Sequence, residues 1–393
     1  MTDTSLPNSG GELAHYVNQT PFDARSIETL TKEQETVYLA SQWRLMWWKF
    51  RRHKLAVISG IFLAILYFAI LIAEFLSPYN HQTRHIDFIH APPQAVHFFH
   101  NGSFEGPFVY GLKYRLNMEN LRREYTPDPS RIQHLRFFCR GESYPLWGGV
   151  LETNWHLFCP AVGGQAFLLG TDKLGRDMLS RIIHGARISL TIGLVGVAVS
   201  IVLGVVLGGL AGYFGGVTDL IVQRIIEVLQ SLPSIPLWLV IGSLVPITWS
   251  ALAVYFFITV ILGLVEWTGL ARAVRSKLLA LREEDYVLAA QLMGANSSRI
   301  VGYHLIPGFT SHLIASATLA IPTMILGETA LSFLGLGLRE PITSWGVLLT
   351  QAQNINAVAL YPWLMIPVIP VILVVLAFNF FGDGLRDAAD PYK

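Results

Sequence analysis

Six long apolar segments alternate with polar ones along the chain. A helix needs about 20 mainly apolar residues to cross the roughly 30 Å hydrocarbon core of a bilayer, and each of these segments is long enough. The pattern therefore predicts an all-α membrane protein with six transmembrane helices. The predicted spans are Leu55–Leu76, Leu190–Tyr213, Thr218–Val245, Ser250–Gly269, His312–Phe333 and Pro362–Phe381. The fifth span contains Pro322 and Gly327, which membrane helices tolerate but which favour a kink.

The remaining polar segments divide the chain into four regions. These are a polar tail at residues 1–42, a boundary helix with the first span at 43–76, an insertion at 77–168, and a core at 169–393 with five spans and a polar loop at 271–307. Tryptophan and arginine alternate through Gln42–His53. This composition is typical of a helix in the headgroup region, and it equally suits a simple basic anchor, so both interpretations stand.

Basic residues in the short flanks indicate the orientation, because they concentrate on the cytoplasmic side. One group precedes the first span and a second separates the fourth and fifth spans. We therefore expect both termini and the 271–307 loop to be cytoplasmic, and the insertion to lie outside. The two groups are Arg44, Lys49, Arg51, Arg52 and Lys54, and Arg272, Arg275, Lys277 and Arg282.

The loop at 271–307 has the pattern of two short helices joined by a turn. Good helix formers fill Arg282–Met293, and Gly294 suits a helix C-terminus. Ser297 or Ser298 can cap a second helix that runs to Pro307. The small side chains of Ala289 and Ala290 predict a flat face that a partner could approach closely.

The insertion is rich in proline, histidine and aromatic residues. Phe104–Tyr114 and Leu135–Phe138 have strand character, with turn signals at Asn101-Gly102 and Gly163-Gly164. Both cysteines of the chain, Cys139 and Cys159, lie here. On the oxidising side of a membrane a disulfide between them would stabilise the insertion by roughly 3 kcal/mol. Two free thiols too far apart to bond are the alternative.

Composition agrees with a membrane protein and excludes several function classes. Apolar residues make up 52% of the chain and charged ones 14%, against about 25% charged in soluble domains. The net charge of +1 gives no electrostatic basis for binding nucleic acid. No Gly-x-x-x-x-Gly-Lys-Ser/Thr phosphate loop is present, and no hydrolase or metal-ligand pattern rises above background, so we expect neither an enzyme nor a metal site.

The segment before the second span combines glycine, aspartate and arginine. Gly170 and Gly175 permit turns, and Asp177 can cap an amphipathic helix that carries Arg181 and Arg187. Cations alternating with aliphatic residues predict that this helix lies on the outer membrane surface.

Four ordered motifs stand out along the chain. They are Gly-Thr-Asp-x-x-Gly-Arg-Asp at 170–177, the loop at 285–307, Glu328–Leu338 followed by Ser344-Trp345-Gly346, and Gly384–Pro391. Together they resemble one family of transport proteins, the "C"-type permeases of the oligopeptide, dipeptide and nickel branch of binding-protein-dependent ABC importers. The likeness covers about 39–76 loosely and 169–393 closely, but not the insertion, which is larger than we expect for the family.

The resemblance implies a type I importer core in a bacterial inner membrane. Its expected partners are a homologous permease, two ATP-binding subunits and an extracytoplasmic solute-binding protein. ATP and Mg²⁺ would bind the ATPase subunits, and no cofactor would bind this chain. The resemblance also implies that the loop docks on an ATPase subunit. At the position of Leu288 in this loop the family often has a glutamate, so Asp285 or Glu284 becomes the candidate acidic contact here. The expected coupling residues are Arg282, Asp285, Ala289, Ala290, Gly294 and Pro307.

Polar residues within the spans are costly in lipid and often functional. Gln223, Arg224 and Glu227 share one helical face of the third span, and Glu328 lies in the fifth. A translocation path and a pairing between helices are both consistent with them.

The substrate class stays open at the level of sequence. Peptides are the first expectation, and oligosaccharides, nickel or other small solutes are alternatives, since aromatic residues in the insertion could stack on sugars. An ion-coupled carrier or channel is a remote alternative, because carriers usually show broken inverted repeats rather than one dominant cytoplasmic loop.

Overall fold

The computed structural model describes residues 39–119, 122–146, 150–246 and 248–389. Most of the predicted tail at 1–42 lies outside these residues, as do Asp390 and Pro391 of the last motif. The first helix, α1, spans Gln42–Arg52, and its first residues belong to a separate unit that ends at Leu45. Everything described below belongs to the unit that begins at Met46.

Five helices are long and apolar enough to cross a membrane. They are α2 (Lys54–Leu71, extended by α3 at Ala73–Leu76), α4 (Met178–Phe214), α7 (Ala251–Leu281), α11 (Thr310–Phe333) and α14 (Val368–Ala389). A bent pair, α5 (Gly216–Ser231) and α6 (Ser234–Ser243), makes a sixth span if it is counted as one. The shorter helices are α8 (Asp285–Leu292), α9 (Ser297–Arg299), α10 (Ile306–Gly308), α12 (Trp345–Leu349) and α13 (Ile355–Leu360).

The predicted third span is wrong as a single straight helix. Its two halves, α5 and α6, meet at an angle of 86°. Pro233 explains the break, because a proline disfavours helical backbone in the residue before it, and Leu232 is extended with ψ 132°. Pro322, by contrast, lies inside an α11 that continues from Thr310 to Phe333.

Two predicted boundaries were also wrong. The second span begins at Met178 rather than at Leu190, so the helix capped by Asp177 is the first part of α4 and not a separate surface helix. The fourth span continues to Leu281, so the polar loop begins there and not at residue 271. Both helices are extended by polar residues that hydropathy alone does not count.

The main core lies where α4 packs against α7 and α11. Leu190, Leu262, Met324 and Ile325 are fully buried there. Glycines let the helix backbones approach closely, as small residues do in membrane bundles. A Cβ at Gly208 would collide with the carbonyl oxygen of Ala271, so α4 and α7 could not meet at this distance with a larger residue.

The insertion forms two small antiparallel sheets, as its strand and turn pattern predicts. One sheet has the order β1 (His97–His100), β2 (Ser103–Asn117) and β3 (Arg122–His134), and the other pairs β4 (Arg136–Leu146) with β5 (Leu151–Cys159). Asn101 and Gly102 make the β1–β2 turn, with φ 48° and 83°. Cys139 and Cys159 are joined by a disulfide, with Cα atoms 6.1 Å apart.

Candidate functional site

The helix α8 and the turn after it form a compact structure at the end of α7. Met293 and Gly294 close the helix, and Gly294 has the left-handed φ of 82°. The Gly294 N–H donates to the Gln291 carbonyl at 2.9 Å, and the Ala295 N–H donates to the Ala290 carbonyl at 3.0 Å. These two bonds define a Schellman motif, which requires a left-handed residue and therefore favours glycine.

The second helix of the loop begins differently from the sequence prediction. The side chain of Asn296 caps it by accepting from the Arg299 N–H at 2.9 Å, so neither Ser297 nor Ser298 is the cap. The helix then widens into a π-turn at Ile300–Leu305 and ends in α10, where Pro307 is exposed. Asparagine, like serine, satisfies a free N–H at a helix start.

One face of α8 is fixed to the chain's own core. Val287 and Ala290 are buried in a cluster with Leu278 of α7 and with Leu305 and Phe309 before α11. The prediction that Ala289 and Ala290 share one exposed flat face is therefore wrong for Ala290, which is 2% exposed. Two adjacent residues point about 100° apart on a helix, so only Ala289 is exposed.

The opposite face of α8 is apolar and exposed. Leu292 is 90% exposed and Met293 is 81% exposed. Leu288 and Ala289 lie one turn earlier on the same face, and both are exposed. We call the set Leu288, Ala289, Leu292 and Met293 the α8 face. An apolar face at the end of a packed helix, which none of the described residues covers, is typical of a protein contact.

The two charged candidates flank this face. Asp285 is exposed in the first turn of α8. Arg282 directly follows α7, is half-buried, and its guanidinium lies 3.5 Å from the Glu283 carboxylate. The structure therefore places Arg282, Asp285, Ala289 and Gly294 along α8 and its two ends, with Pro307 in α10.

The polar residues of the third span pair within one helix. Arg224 Nη1 lies 2.7 Å from Glu227 Oε2, and both side chains are exposed. This pair does not join two helices, because its members are three residues apart on α5. Gln223 precedes it on the same helix. The interhelix ion pair of this region is instead Arg275 of α7 with Asp219 of α5, at 2.5 Å, which sequence analysis missed.

Glu328 is fully buried and joins three segments. It accepts hydrogen bonds from Ser189 of α4 at 3.1 Å, from Ser332 of α11 at 2.8 Å, and from Ser344 before α12 at 2.7 Å. The sequence is consistent with Glu328 either lining a translocation path or pairing structural elements, and these contacts support the pairing.

An ionic group lies beside the start of α4, with Asp172, Arg176 and Arg181 buried and Glu340 partly exposed, and the sequence pattern does not predict it. Arg176 donates to Asp172 Oδ2 at 2.7 Å and to Glu340 Oε1 at 2.5 Å. Arg181 donates to the same Asp172 oxygen and to Glu340 at 3.2 Å. Burial opposes ionisation of Asp172, but Arg181 and Arg176 outweigh it and hold the pKa of its carboxyl below the usual range. We call Asp172, Arg176, Arg181 and Glu340 the ionic cluster.

A third arginine fixes the first span to α4. Arg187 forms a bidentate pair with Glu74, at 2.6 and 2.8 Å, and donates to the Ile70 carbonyl. Both arginines that were expected on the outer surface therefore bind acidic residues within the protein. In the part of the chain that the structure describes, no three His, Cys, Asp or Glu side chains are placed to hold a metal ion.

Two family models match the chain. Residues 204–392 match the inner membrane component of binding-protein-dependent transport systems. Residues 41–93 match the N-terminal transmembrane domain of oligopeptide transport permease C.

Curated relatives match over most of their own length. The oligopeptide permease OppC of Haemophilus influenzae is 39% identical over 243 residues, which cover 61% of this chain and 75% of the relative. The di/tripeptide permease DppC of Pseudomonas aeruginosa is 40% identical over 232 residues, covering 58% and 74%. Escherichia coli OppC is 38% identical over 248 residues, covering 61% and 78%.

Among solved structures, a chain of the MetNI methionine ABC transporter in an inward-facing conformation is similar at a TM-score of 0.43 and 21% identity. The match covers 54% of this chain and 98% of that chain.

Proposed function

The chain belongs to the permease family of oligopeptide and dipeptide transport systems, and from this premise we propose that it is the membrane-spanning subunit of an ATP-driven peptide importer. Its core is a type I importer permease in the inner membrane. The relatives' names support peptides as the transported class, ahead of the oligosaccharides or nickel considered from the sequence.

The α8 face is the observation that best supports coupling to a separate ATPase. It is exposed and apolar, and it follows the α7 extension, whose basic residues favour the cytoplasmic side. A groove on an ATP-binding subunit would cover Leu292 and Met293. Because Leu288 is apolar, docking would rest on shape and burial, with Asp285 and Arg282 as flanking charges.

Packing behind α8 explains how such docking would move the membrane helices. Val287 and Ala290 connect α8 to α7, and Leu305 and Phe309 extend the same cluster to the base of α11. Packed cores shift between discrete arrangements rather than deforming continuously. ATP-driven closure of two ATPase subunits would therefore displace α7 and α11 together and switch the access of the translocation path.

The exposed pair on α5 supports a role at the translocation path or at the contact with a second permease. Arg224 and Glu227 keep 72% and 51% of their side chains exposed on a helix whose neighbours Leu220 and Val228 are apolar. Charges facing lipid are costly. A homologous permease or a water-filled path is the environment in which this pair would be stable.

The complete importer would contain a homologous permease, two ATP-binding subunits and an extracytoplasmic binding protein. ATP and Mg²⁺ would bind the ATPase subunits, and this chain would be non-catalytic. Both termini would be cytoplasmic, and the insertion would face the binding protein's compartment.

Replacing Gly294 tests the coupling role. Tryptophan at this φ of 82° would disrupt the Schellman turn, so Gly294→Trp should leave membrane insertion intact while reducing ATPase-subunit copurification and peptide uptake at least about tenfold. Gly102→Trp is the matched control. Gly102 has φ 83°, and a Cβ at either glycine would meet no other atom within 4 Å, but Gly102 lies in the insertion.

Uptake of a radiolabelled tripeptide into proteoliposomes, with an oligosaccharide as the comparison solute, provides the readout. Normal uptake by a well-expressed Gly294→Trp protein would contradict the coupling role. Uptake of the oligosaccharide alone would contradict the substrate class and leave the coupling role intact.

A further inference from the structure

The sheet formed by β4 and β5 exposes large aromatic side chains at the end that carries the disulfide. Phe137 is 59% exposed, Phe138 is 64% exposed and Trp155 is 45% exposed. Phe138 also holds a left-handed φ of 49°, a conformation that is rare for bulky residues and that sets the direction in which its ring projects.

Contacts place this end of the sheet beside the end of the first membrane helix. His156 Nδ1 lies 2.6 Å from the Ser77 carbonyl oxygen, directly after α3. The rings of Phe138 and Phe75 have centroids 6.3 Å apart. The β4–β5 sheet is thus held against the last turn of the first span.

The length of the first span puts these contacts at the membrane boundary. At 1.5 Å per residue, about 20 residues cross roughly 30 Å of hydrocarbon. Counting from Lys54, the last cation before the apolar run, the hydrocarbon ends near Phe75. Phe138 therefore lies at about the depth of the lipid headgroups.

The charges around the rings fit the same environment. Arg136 and Arg140 are exposed on either side of Phe137 and Phe138. The Arg140 guanidinium lies 5.6 Å from the centre of the Trp155 ring. The nearby carboxylate of Glu142 already accepts from the Asn80 N–H at 3.3 Å and from Thr83 Oγ1 at 3.1 Å. Aromatic rings with adjoining cations are the combination that binds the boundary of an anionic bilayer.

We propose that the β4–β5 sheet is a lipid-binding element. Phe137, Phe138 and Trp155 insert among the headgroups of the leaflet on the insertion side, while Arg136 and Arg140 bind lipid phosphates. The disulfide between Cys139 and Cys159 holds the two strands together at this end. The insertion is thereby anchored to the membrane at a fixed height above α4. This proposal rests on the membrane-spanning first helix and does not depend on coupling to an ATPase.

A nitroxide spin label on Phe137→Cys tests the proposal in the full-length chain, reconstituted in nanodiscs of phosphatidylethanolamine and phosphatidylglycerol. The native cysteines are bonded to each other, so the label reports the introduced site. Phe104→Cys is the matched control, because Phe104 is 69% exposed on the other sheet. Trp155→Cys provides a second position.

Collision of the label with oxygen and with a water-soluble nickel chelate measures its depth. We expect the oxygen-to-nickel accessibility ratio at 137 and 155 to be at least about threefold higher than at 104, because oxygen partitions into lipid. Equal ratios at 137 and 104 would overturn the proposal by showing a water-facing sheet. Low accessibility to both reagents would also overturn it, by showing that protein covers the surface.

Changing the charge of the lipids tests separately whether Arg136 and Arg140 bind the membrane surface. Replacing phosphatidylglycerol with phosphatidylcholine should lower the ratio at 137, and the change should disappear when Arg136→Gln and Arg140→Gln are combined. A ratio at 137 that is the same in both membranes would overturn the role assigned to the arginines.

Discussion

The ionic cluster shows how much single residues depend on partners far away in the chain. Arg181 is fully buried, and its partner Glu340 is 159 positions later. The sequence predicts turns at Gly170 and Gly175 and a cap at Asp177, because those are local properties. It does not predict Glu340, since a carboxylate in a connecting segment carries no local signal of the residue it will meet.

Removing Arg181 should destabilise the fold. Arg181→Met would leave Asp172 and Glu340 sharing only Arg176, and loss of one partner from a buried ionic group costs about 3–5 kcal/mol. We expect a clear fall in the thermal unfolding midpoint of the purified chain. Arg224→Met is the control, because its exposed ion pair contributes at most about 1 kcal/mol. Equal midpoints for the two variants would contradict a stabilising ionic cluster.

Asp177 should give the stability of the fold a pH dependence of known sign. Burial raises the pKa of its carboxyl from 3.8 to about 6, since the hydrogen bonds from Ser180 offset only part of the effect. The folded state therefore binds an additional proton between about pH 4 and pH 6. Its contribution to the free energy of unfolding is complete below pH 4 and is lost as the pH rises through 6.

Asp177→Asn should remove this dependence, because asparagine keeps the cap but does not ionise. The stability of the variant relative to the wild type should be greater at pH 7.5 than at pH 4.5 by up to about 2 kcal/mol, because part of the effect is already lost at pH 4.5. Asp177→Ala should be about 1 kcal/mol less stable than Asp177→Asn at both pH values, because it lacks the cap. Thermal unfolding at the two pH values measures the stability of both variants. If the difference in stability between Asp177→Asn and the wild type were the same at both pH values, Asp177 would not titrate in this range.

Hydropathy predicts well which segments form membrane helices, but it predicts the ends and breaks of those helices less well. Long apolar runs identify α2, α4, α7, α11 and α14 because hydropathy averages over many residues. The α5–α6 break depends on one proline, and the last three turns of α7 contain Arg272 and Lys277, which hydropathy treats as the end of a span. The sequence carries no local signal for the π-turn that follows Arg299.

Placing a leucine on each face of α8 in turn distinguishes the role of the packed face from that of the exposed face. Ala290→Leu should destabilise the fold by about 1–3 kcal/mol, because it overfills the cluster around Val287 and Leu305. Ala289→Leu should change stability by less than about 0.5 kcal/mol but reduce association with the ATPase subunit. Unfolding midpoints and copurification distinguish the two, and the reverse pattern would show that the face is wrongly assigned.

The arrangement of the whole molecule follows from contacts that join the insertion to the core. The Tyr79 N–H donates to Ser180 Oγ of α4 at 3.3 Å, and the His85 N–H donates to the Gly175 carbonyl at 3.0 Å. Strands and turns of the insertion could be predicted from alternating aromatics and the Asn101-Gly102 turn. The pairing order of its five strands and its position against α3 could not, because they depend on long-range packing.

Site-specific cross-linking shows whether the α8 face docks on an ATP-binding subunit. Leu292→Cys, 90% exposed, would carry a benzophenone maleimide in the assembled importer, with Met118→Cys, 78% exposed in the insertion, as the control. We predict that irradiation links position 292 to the ATP-binding subunit and that position 118 gives no such product. A label at 292 that cross-links only to lipid or to the binding protein, in an active complex, would contradict docking through the α8 face.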